Sequence, residues 1–304
     1  MAKLQEFSSF CEKKACFGEY CVVNKSEELS KELDRLVKNS KNLLFRGVNE
    51  AKYQLFTSGQ REYIQNDYKT IGIDYQQFVE GILKNLNDDA LAKYNEAAHI
   101  EVNAAWKFAY LQHYGAPTPF LDFTESVYIA LFFASHNVKL NPSNLYLDNY
   151  ISLYYTEIDE LPDLKEKCLG KIKKITGDEN ENCKDREGNR VKLIKNVLGI
   201  GALTEYALFR FSTKKKVLNF DSYSFICNIA NRNMIAQEGV LIYNSDELKT
   251  LDGCIKIGCV DIHKSLLPFI EREWIDTNEF NYESLFPDEY RIAQNAYMSF
   301  KKEI

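Results

Sequence analysis

Apolar positions recur along this chain at two spacings, and the switches between them mark out its elements. Glu19 to Val23 (EYCVV) and Asn42 to Val48 (NLLFRGV) are short apolar runs that predict strands. Between them Leu29, Leu33, Leu36 and Val37 return at helical spacing. Ser26 precedes that stripe as N-cap, with Glu27 and Glu28 in the first turn, where the helix dipole favours acids. Tyr53 to Ile64 shows no period and reads as irregular. Asp74 starts a second helix, with Tyr75, Phe78, Val79, Ile82, Leu83 and Leu86 as its buried stripe. Residues 90–114 are mostly helical in pattern, with Ile100, Ala104, Phe108 and Leu111 on one face.

The densest stretch runs from Leu111 to Ala134, LQHYGAPTPFLDFTESVYIALFFA. Gly115 stops the helix that reaches Tyr114, because glycine enters the left-handed region without a Cβ penalty. Pro117 and Pro119 hold the next residues extended. Phe120 to Phe123 form a strand, Thr124 to Ser126 supply cap hydroxyls, and Val127 to Ala134 form a helix apolar all round and therefore buried. His113, Thr118, Asp122, Thr124 and Ser126 cluster at the turns of this apolar scaffold, as the wall of a pocket requires.

Further on, Tyr150 to Ile158 alternates and predicts a strand. Residues 161–216 lose all periodicity and carry KIKK, GDENENCKDREGN and TKKK, the pattern of a charged surface insertion. Gly239 to Tyr243 and Cys254 to Ile262 predict strands, His263 to about Trp274 a helix, and Ser284-Leu285-Phe286-Pro287 leads into a last helix that runs through about Phe300. Strands and helices mix without a repeat, so the fold class expected is α+β, a single mixed domain over 42–304. Residues 1–41 read as a strand and helix extension packed on it.

Composition narrows the functional classes. Lys plus Arg is 38 against 44 for Asp plus Glu, so a general nucleic-acid-coating surface is excluded, though not a local basic groove. Of the 8 cysteines no pair has C-x-x-C spacing, and the 4 histidines add no paired-ligand motif, so no metal is expected. Cys11, Cys16 and Cys21 read as free thiols of a reducing compartment. The first residues lack an apolar signal core and no run reaches membrane-spanning length, so a cytoplasmic protein is expected.

Three segments carry a family resemblance: Phe45-Arg46-Gly47; Gln112-His113-Tyr114-Gly115-Ala116-Pro117-Thr118 running into Leu121-Asp122-Phe123-Thr124 and Ala130 to Ala134; and Asn231-Arg232 with Gln237, Gly239 and the late Leu285-Phe286-Pro287-Asp288. Together they resemble the bacterial FRG domain family. Pro119 stands where that family often has Arg, and Phe123 where it often has Trp. More distantly, the chain is similar to the ADP-ribosyltransferase fold organised by Arg, Ser-Thr-Ser and Glu. Arg46 would match the first element, Asp122 to Ser126 the second, and Gln237-Glu238-Gly239 the third, without a true Ser-Thr-Ser or a Glu-x-Glu.

That second resemblance implies an ADP-ribosyltransferase-like β core surrounded by helices and an NAD-consuming activity, such as a toxin or antiphage effector uses on a protein, nucleic acid or nucleotide. Cleaving the nicotinamide–ribose bond builds positive charge on the sugar, which a carboxylate stabilises. Glu238, Arg46 and Thr124 are the catalytic candidates. Arg46 would grip the pyrophosphate with its fork of donors. Tyr114 or Phe123 would stack on the nicotinamide, His113 would meet a ribose hydroxyl, and Asp122, Ser126 and Gln237 complete the NAD-binding set. Each also has a plainer reading: Arg46 paired with Asp122, His113 as a cap, Thr124 and Ser126 as ordinary N-caps, Glu238 as a surface charge. The alternative function is a non-catalytic module that senses a nucleotide or nucleic acid. A metal-free hydrolase acting through His113 and Asp122 is a third.

Overall fold

In a computed structural model, residues 4–86, 88–97, 104–138, 146–157, 208–212, 218–220, 223–225, 232–244 and 246–287 are described. In chain order they give α1 (Phe10–Cys16), β1 (Glu19–Val23), α2 (Ser26–Lys38), β2 (Leu43–Val48), α3 (Ser58–Gln65), α4 (Tyr75–Asn85), α5 (Asp89–Ala97), α6 (Ala104–His113), β3 (Phe120–Thr124) and α7 (Val127–Ser135). There follow β4 (Tyr150–Glu157), β5 (Leu208–Ser212), the small hairpin of β6 (Leu218–Phe220) and β7 (Tyr223–Phe225), α8 (Arg232–Ala236), β8 (Gly239–Asn244) and β9 (Gly258–His263).

Seven strands form one sheet in the order β1-β9-β4-β2-β3-β8-β5, and the class is α+β as the sequence implies. Among the described strands only β1 and β9 run parallel; the other neighbours in this sheet are antiparallel. Both faces are covered. On one, Phe45, Ile151, Leu153, Tyr155, Val260 and Ile262 pack under α7 and the Leu29–Leu33–Leu36 stripe of α2. On the other, Leu44, Leu121, Phe123, Tyr154, Val240 and Ile242 meet Phe7, Phe17, Leu55 and Leu251. With both faces covered, β4 is buried without a break from Ile151 to Thr156, its Ser152 and Thr156 included.

Gly47 explains itself by what lies above it. A Cβ there would sit 1.8 Å from the Ala130 carbonyl oxygen and 2.7 Å from the Ala134 nitrogen. The backbone of α7 thus rests directly on β2, which fixes the helix that follows β3.

Several expectations need correction. Within the stretch 1–41, β1 is an edge strand of the same sheet and Lys13 of α1 is fully buried. Lys25, not Ser26, occupies the cap position of α2. The stretch 53–64 contains α3, started by a reciprocal capping box of Thr57 and Gln60. Within the expected insertion, Leu208–Ser212 is an edge strand paired with β8; residues 161–207 and 213–216 lie outside the described residues. The helix expected over 263–274 is split into a 3-10 turn, a short α-turn and a π-turn. The last expected helix, after Pro287, lies outside the described residues; just ahead of it Tyr282–Leu285 forms a short helical turn.

Candidate functional site

The site grows from a discontinuity in the sheet. β2 pairs with β4 at six positions and β3 with β8 at five, but β2 and β3 share one register pair, Phe45 with Thr124. Beyond it the strands part, and Arg46 reaches across. Its Nη1 donates to the backbone carbonyl of Asp122 at 2.6 Å, while its Nε is buried with no hydrogen-bond partner. Burial pulls the guanidinium pKa down, the Asp122 carboxylate pushes it back up, and the charge of Arg61 on α3 opposes that. Arginine stays cationic through such shifts. The expected pairing of Arg46 with Asp122 is therefore through the backbone oxygen rather than the carboxylate.

Asp122 is exposed, while its neighbours Leu121 and Phe123 are buried. Its Oδ2 accepts from the Gln112 side-chain amide at 2.8 Å. Thr118 in turn donates its hydroxyl to the Gln112 side-chain oxygen, and the Thr118 N–H donates to the Ser58 hydroxyl at 3.0 Å. The helix stop aligns this chain. Gly115, at φ 78°, donates to the Gln112 carbonyl, and Ala116 donates to that of Leu111, the paired bonds of a Schellman ending. Gly59 of α3 donates to the Thr118 carbonyl at 2.7 Å, so α3 is pinned against the start of β3 and carries Arg61 with it. His113 and Tyr114 are exposed at the end of α6, ring edge to ring face at 4.7 Å. Partial burial lowers the His113 pKa, so its imidazole is neutral near pH 7.

The other end of β3 is tied to β8. The Thr124 hydroxyl donates to the Gln237 carbonyl at 2.8 Å and accepts from the Ser126 N–H at 3.1 Å. Ser126 caps α7 by accepting from the Ile129 N–H. The Glu125 N–H donates to the Glu238 carbonyl at 3.1 Å, and the Gln237 side-chain amide donates to the Leu285 carbonyl at 2.9 Å. Glu238 is half-buried with φ 47°, a left-handed conformation that glutamate adopts at a cost.

Two groupings result: Arg46, Arg61, Gln112, Thr118 and Asp122 where β2 and β3 part, and Thr124, Ser126, Gln237 and Glu238 at the turn into β8. They meet on one row. Phe45, Thr124 and Gly239 are register partners across three adjacent strands, so Arg46 lies one position past that row and Glu238 one before it. Phe123 does not join either group. It is 3% exposed in the core, because it shares the inward face of β3 with Leu121, and it presents no ring to a ligand. Arg61 and Ser58 escaped sequence reasoning; the T-x-x-Q signal at Thr57 to Gln60 is what would have placed them on a helix.

The FRG domain model matches residues 41–142. The chain carries an FRG domain. No curated protein and no solved structure matches it. The grouping around Arg46 and Asp122 lies wholly inside the FRG match, whereas Gln237 and Glu238 lie beyond it. Among the described residues no set of three His, Cys, Asp or Glu side chains is placed to hold a metal, and no helix is long and apolar enough to cross a membrane.

Proposed function

We propose that this FRG domain protein binds NAD where β2 and β3 part and transfers its ADP-ribose to an acceptor. The observation that carries the reading is the shared row of Phe45, Thr124 and Gly239. Arg46 on β2, the hydroxyl-rich end of β3 and Glu238 in the turn that enters β8 all lie within one position of that row, although they are far apart in sequence. Arg46 holds the pyrophosphate through its guanidinium, whose Nε has no other partner. Glu238 faces the nicotinamide ribose and stabilises the positive charge that builds as the glycosidic bond breaks. Thr124 positions that carboxylate indirectly, by holding the Gln237 carbonyl one residue before it. His113, neutral, and Tyr114 flank the opening from the end of α6.

The test is nicotinamide release from NAD by the purified protein, beside Arg46→Lys and Glu238→Gln. Wild type releases nicotinamide, Glu238→Gln reduces release by about a hundredfold or more, and Arg46→Lys raises KM for NAD, since a point charge replaces a fork. No release by wild type, with cell extract present to supply acceptors, refutes the catalytic reading. A second reading, a nucleotide-sensing module without chemistry, is favoured by one observation: the Thr124 hydroxyl and the Gln237 amide are already committed to protein partners.

A further inference from the structure

We propose that Gln237 is a positioning residue for Glu238: its side chain ties the turn that carries the carboxylate to the helical turn Tyr282–Leu285. This role rests on the reading of Glu238 as the catalytic carboxylate, and it moves Gln237 out of the NAD-binding set into the frame behind it.

Glu238 sits at φ 47°. A left-handed glutamate persists only where its surroundings over-determine the backbone. Here they do so from three directions. From α8, the Asn233 carbonyl accepts from the Gln237 N–H at 2.8 Å and the Ile235 carbonyl from the Glu238 N–H at 3.2 Å. From the end of β3, the Thr124 hydroxyl donates to the Gln237 carbonyl at 2.8 Å and the Glu125 N–H to the Glu238 carbonyl at 3.1 Å. The third hold is the Gln237 side chain, whose amide donates to the Leu285 carbonyl at 2.9 Å, 48 residues further on.

Leu285 belongs to a segment with an anchorage of its own. A reciprocal capping box of Asn281 and Ser284 starts that turn, and the Leu285 side chain is buried in the same core cluster as α7. Tyr282 stacks on Phe286 with centroids 4.5 Å apart, and on His136, the C-terminal cap of α7, at 5.9 Å. Phe286 meets Phe133 of α7 edge to face at 6.0 Å. The Leu285 carbonyl is therefore a fixed point held against the far end of α7, while Thr124 and Ser126 hold the near end. An amide given to that carbonyl is not offered to a ligand. It fixes the residue from which Glu238 leaves the turn, which is how a supporting shell keeps a reacting group in place.

The experiment measures nicotinamide release from NAD by the full chain, together with hydrogen exchange followed by mass spectrometry. Gln237→Met keeps the side-chain length and removes the donor. Tyr282→Ala removes the stack on Phe286 and His136 at a position 45% exposed, where the fold tolerates the loss. Each single variant is expected to lower kcat about tenfold while KM for NAD stays within about twofold. The double variant is expected to be no worse than the worse single, because both cut the same tie. Peptides covering 236–240 and 282–287 should exchange faster together in Gln237→Met. A raised KM at unchanged kcat overturns the positioning role, since Gln237 then touches NAD. Losses that multiply in the double variant, unchanged kcat in the singles, or unchanged exchange at 282–287 also overturn it, and each leaves the reading of Glu238 standing. No release by the wild type overturns the proposed function itself, and this role with it.

Discussion

Replacing Lys13 by methionine tests how the first elements are held. Lys13 is fully buried, and its three ammonium protons are all used: to Asp261 Oδ1 at 2.5 Å, the Ala51 carbonyl at 2.8 Å and the Ser152 hydroxyl at 2.9 Å. Phe7, Phe17, Tyr20 and Tyr154 surround it, with ring centroids 5.3 to 6.0 Å from Nζ. Asp261, also fully buried, accepts in addition from Ser152 and from the Tyr20 hydroxyl. Methionine fills most of the volume but strands a buried carboxylate and a buried carbonyl. Breaking one side of a buried pair costs about 3–5 kcal/mol, a large part of the roughly 5–15 kcal/mol that holds a domain. Urea unfolding followed by circular dichroism should show the midpoint falling with the slope unchanged. Adding Asp261→Asn to Lys13→Met should recover part of the loss, since it removes the stranded charge while Asn still accepts from Tyr20. A loss below about 1 kcal/mol in the single variant, or a double variant as unstable as the two singles summed, would refute the claim that the pair holds α1 to the sheet.

Gly47→Ala should cost about 3 kcal/mol or more, because the new methyl meets backbone atoms of α7 that no side-chain rotation clears; a thermal melt unchanged within about 2 °C would show that α7 does not rest on β2. Asp252 carries a pKa raised above the ordinary carboxylate value, first by burial, and its Oδ1 accepts from the Leu55 N–H at 3.1 Å. The folded state therefore holds its proton more tightly than the unfolded one, and this group's contribution is present at low pH and lost as pH rises through the raised value. Asp252→Asn should gain stability over wild type as pH rises from the ordinary carboxylate value through the raised one and hold that gain beyond it, which paired urea titrations would read; a constant difference across pH counts against it. The nicotinamide assay with Arg46→Lys and Glu238→Gln completes the set.

The sheet centre was legible because its strands are short apolar runs with no competing period. β2, β3, β4 and β8 fall where the pattern puts them, and α7 is buried as its unbroken apolar run requires. Gly115 stops α6 as glycine should. What pattern cannot carry is partnership over distance. Nothing in FCEKKAC separates a lysine in solvent from one whose partner is Asp261, and nothing in β1 points to β9. α3 is polar enough to hide its period, and β5 lies in a stretch whose charges mask an edge strand. At the site, the motif residues Gln112, Thr118 and Asp122 were visible as a cluster, but their linkage into one hydrogen-bonded chain is a product of the turn. That Phe123 faces inward follows from which face of β3 the core takes, a choice that alternation alone leaves open.

The pairing of β1 with β9 also sets a timetable. Glu19 is the register partner of Gly258, so the strand made among the first must wait for one made more than two hundred residues later. At ribosomal speed that interval is roughly 10–50 s. Through it, β1 has no neighbour in the sheet, and Lys13 has no Asp261 to neutralise. Closure of so long a loop is slow and entropically costly, so docking of α1 and β1 belongs to the last phase of folding. Their late arrival leaves this segment exposed during synthesis, and its loosening in a destabilised variant would uncover the edge of β9.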